Sequence, residues 1–190
     1  MKVKPSPKRG RVVVEVDRKD EQLLSGTVAG AVPTSSFELK KVLVPVDFSP
    51  CSRKALRYAL AFARQFQARL TLLHVLPANY FIGSEFGPID FPLPETELRQ
   101  GAERELAAVA AREVGAATPV ETVVRQGQPV QEIVRFAGEA EIDLVILSTH
   151  GRTGLKHVLM GSVAENVVRY APCPVLVVRE FEHEFLGAAR

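Results

Sequence analysis

A segment between Ser148 and Ser162 contains the residue types and the spacing best suited to holding a ligand. Its glycines at 151, 154 and 161 allow a positive φ and let the backbone approach a bound group closely. A helix predicted to begin at Ser162 would aim unpaired N–H groups at whatever lies before it. This arrangement suits a phosphate chain, so the sequence predicts a phosphate-binding loop.

Two roles are open to Ser162. The run Ser162-Val163-Ala164-Glu165 has the pattern of a capping box, in which the serine hydroxyl binds its own helix. The same hydroxyl can serve as a phosphate ligand, because a serine accepts one hydrogen bond and donates another. The segment is not a Walker A loop, since Gly-Lys-Ser/Thr is absent, and no Gly-x-Gly-x-x-Gly fingerprint follows the first predicted strand.

Five short apolar runs alternate with helical patterns from Lys40 onward, which is typical of successive β-α-β units. Right-handed crossovers favour an α/β fold with a doubly wound parallel sheet in the order 3-2-1-4-5, a Rossmann-like or flavodoxin-like sandwich. The predicted strands are 42–47, 69–76, 119–125, 143–147 and 174–179. The predicted helices are 50–67, opened by Ser49 and Pro50, and 95–114, 129–140 and 162–170.

Ligands of such a sheet bind beyond the carboxyl ends of its strands, at the reversal between the first and the fourth. The first strand ends in Pro45-Val46-Asp47, and the fourth runs into Ser148-Thr149-His150. Asp47 is expected either to contact a ribose or to cap the following helix. His74 is expected to be a hydrogen-bonded core residue. His150 is expected either to contact phosphate or to stabilise its own loop.

These residues resemble the universal stress protein family over about residues 40–180. The ATP-binding branch of that family has Gly-x-x-Gly, nine residues, and then Gly-Ser or Gly-Thr. The chain reads Ser148-Thr149-His150-Gly151, nine residues, and Gly161-Ser162, with Ser148 in place of the first glycine. Further matching segments are 42–49, 72–76, 143–170 and 171–179.

The resemblance implies a dimeric, nucleotide-dependent regulator in stress response that binds ATP, or AMP or ADP, with Mg²⁺ or Mn²⁺ bridging the phosphates. It implies a homodimer through the last strand, 174–179. We expect neither a nucleic-acid nor a membrane partner, because the basic N-terminus lacks a dense basic block with interleaved aromatic residues and no apolar run is long enough to span a bilayer. The implied nucleotide-binding residues are Pro45, Val46, Asp47 and Val75 on the base and ribose side, Gly127 at the turn after the third strand, and Ser148, Thr149, His150, Gly151, Arg152, Gly161, Ser162 and Val163 in the loop.

No enzyme is expected, because neither an acid–base pair, a nucleophile–base pair nor a metal cluster is apparent at the strand ends. Two other functions stay open. One is a slow ATPase or an autophosphorylating enzyme, with Ser162 as the phosphate acceptor. The other is a nucleotide-free dimerisation module.

Composition and charge narrow the class of protein further. The chain has 190 residues, of which 46% are hydrophobic, and no run approaches the roughly 18 apolar residues of a membrane span. We expect a cytoplasmic protein, because the apolar run after the basic N-terminus is too short for a secretory signal. Cys51 and Cys173 lie far apart and in no metal-binding pattern, which favours two small buried or half-buried residues over a disulfide or a zinc site.

Three regions are predicted along the chain. Residues 1–37 carry a net charge of +3 and form an extension, either a hairpin of 12–16 with 23–28 or a partly disordered tail. Residues 38–182, with a formal charge of about −1, form the nucleotide-binding domain, and 183–190 form a C-terminal tail.

Overall fold

The computed structural model describes residues 2–5, 12–15, 38–77, 94–115, 118–150 and 160–179. Its contacts divide the chain into two units, Met1–Phe37 and Glu38–Arg190. Among the described helices, none combines the length and the apolar character that a bilayer crossing requires.

The first unit contains an antiparallel pair of strands, β1 (Lys2–Pro5) and β2 (Val12–Glu15). The predicted strand at 12–16 is therefore present, but its partner is β1, and the predicted partner 23–28 lies outside the described residues. The sequence Lys-Val-Lys-Pro of β1 has one apolar side chain and a terminal proline, so its pattern does not indicate a strand.

The second unit is a doubly wound α/β domain around a five-stranded parallel sheet. The strand order is β5-β4-β3-β6-β7, which confirms the predicted order 3-2-1-4-5. Its elements along the chain are β3 (Lys41–Pro45), α1 (Pro50–Phe66), β4 (Arg69–Leu76), α2 (Glu95–Val109), β5 (Val120–Gln126), α3 (Pro129–Glu139), β6 (Leu144–Ser148), α4 (Ser162–Tyr170) and β7 (Val175–Val178).

Two hydrophobic clusters cover the faces of this sheet. Alternate residues of a strand point to opposite faces, so Val42 and Val44 pack with α1 and α2, while Leu43 packs with α3 and α4. All three side chains are fully buried. Burial on both faces explains why the central strands read as continuous apolar runs.

The helix predicted over 95–114 is α-helical only to Val109. A π-helical turn, Ala110–Val114, follows it and ends at Gly115, whose φ of 72° is one that glycine adopts without strain. Neither cysteine forms a disulfide, and both are half-buried, within the predicted range of buried or half-buried residues. Burial raises the pKa of the Cys173 thiol.

Asp143 joins the start of β6 to the start of β3. Its Oδ2 atom accepts hydrogen bonds from the backbone N–H groups of Lys40 and Lys41, both at 2.8 Å. We expect Asp143→Ala to lower the free energy of unfolding by about 1–2 kcal/mol, because two backbone donors lose a charged acceptor. Urea denaturation measures this change. Glu38→Ala, which removes only an exposed ion pair with Lys40, should leave the urea midpoint nearly unchanged.

Candidate functional site

A crevice opens where β3 stops short of its neighbour. β3 ends at Pro45, opposite Leu73, whereas β4 continues to Leu76. The chain leaves the sheet at Phe48, which has a φ of 66°. A non-glycine residue with such a φ is strained, and residues of this kind are concentrated at functional sites. The crevice lies beyond the end of β3, between its neighbours β4 and β6, next to the reversal of strand order.

Val75 presents an unused edge of β4 to this crevice. Alternate residues of β4 direct their backbone groups toward β3, as the 2.8 Å bond from the Val46 N–H to the Leu73 carbonyl shows. Val75 lies two residues further on and therefore faces the same side. Among the described residues, none continues the β3 ladder at this level. A backbone donor and a backbone acceptor are thus available side by side.

Pro45 and Val46 line the crevice with apolar side chains. Pro45 has no N–H, and Val46 is only 3% exposed. The Val46 carbonyl accepts a hydrogen bond from Nδ1 of His74 at 2.6 Å, so both of its backbone groups are engaged. His74 is 6% exposed, and its ring centroid lies 4.4 Å from that of Phe48. The prediction of a hydrogen-bonded core histidine is confirmed.

Asp47 does not cap the following helix. Its Oδ1 atom accepts from the Ser49 N–H at 3.0 Å and from the Ser49 hydroxyl at 2.6 Å. Ser49 is itself the N-cap of α1, with its Oγ accepting from the Ser52 N–H at 3.1 Å. The capping alternative for Asp47 is therefore wrong, because a serine two residues later takes that position. Oδ2 of Asp47 has no hydrogen-bond partner in the described part of the chain.

Hydrogen bonds among residues 148–150 fix the backbone at the start of the predicted phosphate-binding loop. The Ser148 hydroxyl donates to the His150 carbonyl at 2.8 Å, so the serine in the first glycine position holds the turn. Oγ1 of Thr149 lies 2.9 Å from Nδ1 of His150, which supports the loop-stabilising role of that histidine. Gly151 and Arg152, both predicted to bind phosphate, lie outside the described residues.

Thr149 also fixes Gly161, at the end of this loop. Its carbonyl accepts the Gly161 N–H at 2.7 Å, and its own N–H donates to the Val178 carbonyl at 3.0 Å. A Cβ on Gly161 would lie 3.0 Å from the Thr149 oxygen. Gly161 is therefore required for close approach, and the start of α4 is held at the end of β6.

The predicted capping box at the start of α4 is wrong. Gly161 occupies the N-cap position in an extended conformation, so Ser162 is already the first helical residue. Its hydroxyl cannot take the capping geometry. Glu165 lies 3.2 Å from Arg169, one turn along the helix, instead of reaching back.

Groups at the start of α4 are consequently available to a ligand. Ser162 and Val163 are exposed, and Ala164 completes the first turn, whose N–H groups have no partner within the helix. The Ser162 hydroxyl makes no hydrogen bond to a described residue. Partial positive charge collects at this helix end, which favours an anion.

Gly127 lies at the end of β5, which is one strand further from the loop than the strand of Val75, β4. Its φ is 149°, its N–H donates to the Leu76 carbonyl at 2.9 Å, and a Cβ there would lie 3.0 Å from the Glu132 side chain. The structure thus brings Pro45–Asp47, Val75, Ser148–His150 and Gly161–Val163 together, with Gly127 on the flank. Within the described ranges, no cluster of three or more His, Cys, Asp or Glu side chains could hold a metal ion.

Sequence reasoning missed the part that Ser49 plays in this site. It marked Ser49 only as the residue that opens a helix. The spacing Asp47-x-Ser49 before Pro50 is typical of an Asx turn leading into an N-cap, and this signal could have found it.

Comparison with known proteins gives consistent matches. The model of the "Universal stress protein family" matches residues 38–179. The universal stress protein MJ0531 of Methanocaldococcus jannaschii is 33% identical over 145 residues, which is 76% of this chain and 85% of that protein. The solved structure of MJ0577, from the same organism, has a TM-score of 0.64 and 30% identity, covering 76% of this chain and 98% of the other. A universal stress protein solved in complex with cAMP has a TM-score of 0.51 and 25% identity, covering 75% and 98%.

Proposed function

We propose that this chain, which belongs to the universal stress protein family, binds an adenine nucleotide, foremost ATP, and acts as a dimeric nucleotide-dependent regulator in stress response. One observation carries the proposal: the unused backbone edge of Val75 and the exposed N-terminus of α4 share one crevice. They lie at β4 and β6, the two neighbours of β3. Strands two apart are separated by about 10 Å, which suits a nucleoside between its base and its first phosphate.

Adenine fits the base end of this crevice. Its Watson–Crick edge carries a donor, the exocyclic amine, beside a ring nitrogen that accepts. The N–H and C=O of Val75 complement that pair, whereas guanine presents the two functions in the opposite order. The base end therefore favours adenine over guanine.

The ribose and the phosphates follow along the crevice. Oδ2 of Asp47 would accept a hydrogen bond from a ribose hydroxyl. The N–H groups at the start of α4 and the Ser162 hydroxyl would hold phosphate oxygens, with Gly151 and Arg152 added by resemblance to the family. A Mg²⁺ or Mn²⁺ ion would bridge phosphates and neutralise their charge. The relative in complex with cAMP supports an adenine nucleotide as the ligand.

We propose a binding role without fast turnover. Phosphoryl transfer to water needs a group that positions the nucleophile. Near the start of α4 the described carboxylates are Asp47, with Oδ1 engaged by Ser49, and Glu165, which is paired with Arg169. Bound ATP would then persist and report nucleotide level in the cytoplasm.

Calorimetry and a phosphate-release assay test this proposal together. We expect saturable ATP binding, at least about tenfold weaker GTP binding, and phosphate release far below about 1 per second, the low end for enzymes. The two nucleotides share their phosphates, so GTP is a matched control for the base contact. Absence of any heat with ATP would favour a nucleotide-free dimerisation module. Turnover near 1 per second would favour the ATPase.

A further inference from the structure

The hydroxyl of Ser49 makes two hydrogen bonds, and the direction of one determines the direction of the other. Ser49 is 7% exposed, and its hydroxyl oxygen lies 3.1 Å from the Ser52 nitrogen and 2.6 Å from Oδ1 of Asp47. The Ser52 N–H can only donate, so the Ser49 oxygen accepts there. The single hydroxyl proton is then left for Asp47.

These bonds hold the Asp47 carboxylate in one orientation. Oδ1 accepts from both the hydroxyl and the N–H of Ser49, which fixes its position against the backbone. Oδ2 is the oxygen without a partner among the described residues. An ionised carboxylate oxygen accepts only, so a ligand must offer it a donor.

The start of α1 reinforces this arrangement. The helix is 17 residues long and has no acidic residue in its first turn. Its N-terminus therefore carries partial positive charge next to the Asp47 side chain, which attracts the carboxylate to the position that Ser49 fixes. One hydrogen-bond network therefore joins the N-cap residue Ser49 to Asp47, which lines the crevice.

We propose that Ser49 is a positioning residue for the nucleoside end of the site, holding Asp47 so that Oδ2 accepts from a ribose hydroxyl. The proposal rests on the proposed function, because it requires a nucleotide in the crevice. Ser49 itself is buried beneath Asp47 in this network and acts on the ligand only through the carboxylate. If Asp47 is held in this way, the chain should bind ATP more tightly than an analogue without ribose hydroxyls.

The test compares ATP with 2′,3′-dideoxy-ATP by calorimetry on the full chain. We expect the unaltered chain to favour ATP about tenfold, the effect of one hydrogen bond to a charged group. Ser49→Gly should weaken ATP binding about tenfold and remove the preference. Glycine is tolerated at N-caps, so melting followed by CD should show a folded protein. Ser49→Thr keeps the hydroxyl and should restore both values.

Two further variants separate positioning from a general effect on structure. Ser52→Ala removes a hydroxyl from the same helix start but keeps the N–H bonded to Ser49, and it should retain the ATP preference. Adding Ser49→Gly to Asp47→Ala should cause no further loss, because the carboxylate it positions is already absent.

The outcomes distinguish this proposal from the proposed function. No ATP binding by the unaltered chain would overturn both. ATP binding with an unchanged preference in Ser49→Gly would overturn only the role of Ser49. An equal loss from Ser49→Gly with and without Asp47 would also overturn it.

Discussion

Replacing Gly161 with valine is expected to abolish ATP binding, with a loss of affinity of at least about a hundredfold, while the fold is retained. The new Cβ would lie 3.0 Å from the Thr149 oxygen, which already accepts the Gly161 N–H at 2.7 Å. Thr149 is tied to Val178 through its own N–H and has little freedom to yield. The start of α4 must therefore shift, and the N–H groups proposed to hold phosphate shift with it.

Calorimetry with ATP measures the effect, and far-UV CD checks the fold. Gly101→Val is the matched control, because a Cβ at Gly101 meets nothing within 4 Å and the residue lies in α2. That variant should bind ATP as the unaltered chain does. If Gly161→Val retained full affinity, the phosphates would not bind at the start of α4.

Periodicity accounts for how much of the fold is predictable. β4 and α4 match their predicted ranges, 69–76 and 162–170, residue for residue. β4 is buried on both faces, and α4 buries Ala164 and Val167 at helical spacing. Burial of one or both faces determines which positions are apolar, so the spacing of apolar residues in the sequence predicts these elements. The strand order follows from crossover handedness and needs no side-chain detail.

Contacts between distant residues explain what the sequence could not predict at the site. The choice between Gly161 and Ser162 as N-cap depends on the Thr149 carbonyl, 12 residues earlier, which binds the Gly161 N–H. The capping-box pattern is local to residues 162–165 and contains no information about that bond. The positive φ of Phe48 is equally hidden, because local preference disfavours it in any aromatic residue. Tertiary structure overrides local preference at both positions.

The two edge strands of the sheet, β7 and β5, differ in whether their outward backbone groups are hydrogen-bonded. In β7 the backbone of Val178 faces β6, since the Thr149 N–H donates to its carbonyl. Val177 therefore faces the outer edge of the sheet, where none of the described strands pairs with β7. On the opposite edge, Nη2 of Arg99 donates to the outward carbonyl of Val124 at 3.3 Å. A capped edge resists pairing with another strand, and an apolar open edge invites it.

Exposed apolar side chains also lie on the last helix. Among the described residues, the exposed large hydrophobic side chains are Val163, Val168 and Tyr170, at 37%, 47% and 59%. All three belong to α4, which packs against β7. Together with the apolar edge of β7, exposed side chains on this neighbouring helix support the proposed homodimer through residues 174–179, with two β7 strands antiparallel across a two-fold axis.

Val177→Pro is expected to convert the dimer to a monomer, raising the dimer dissociation constant at least about tenfold. Proline removes the outward N–H of Val177 and leaves the hydrogen bonds between β7 and β6 in place. Light scattering at micromolar concentration measures the mass. Thr122→Pro is the matched control, because Thr122 directs its N–H outward from the capped edge strand β5, and it should stay dimeric. A monomeric unaltered chain would contradict the dimer itself. A dimeric Val177→Pro variant would place the interface on another surface, since the β7 edge could no longer donate that bond.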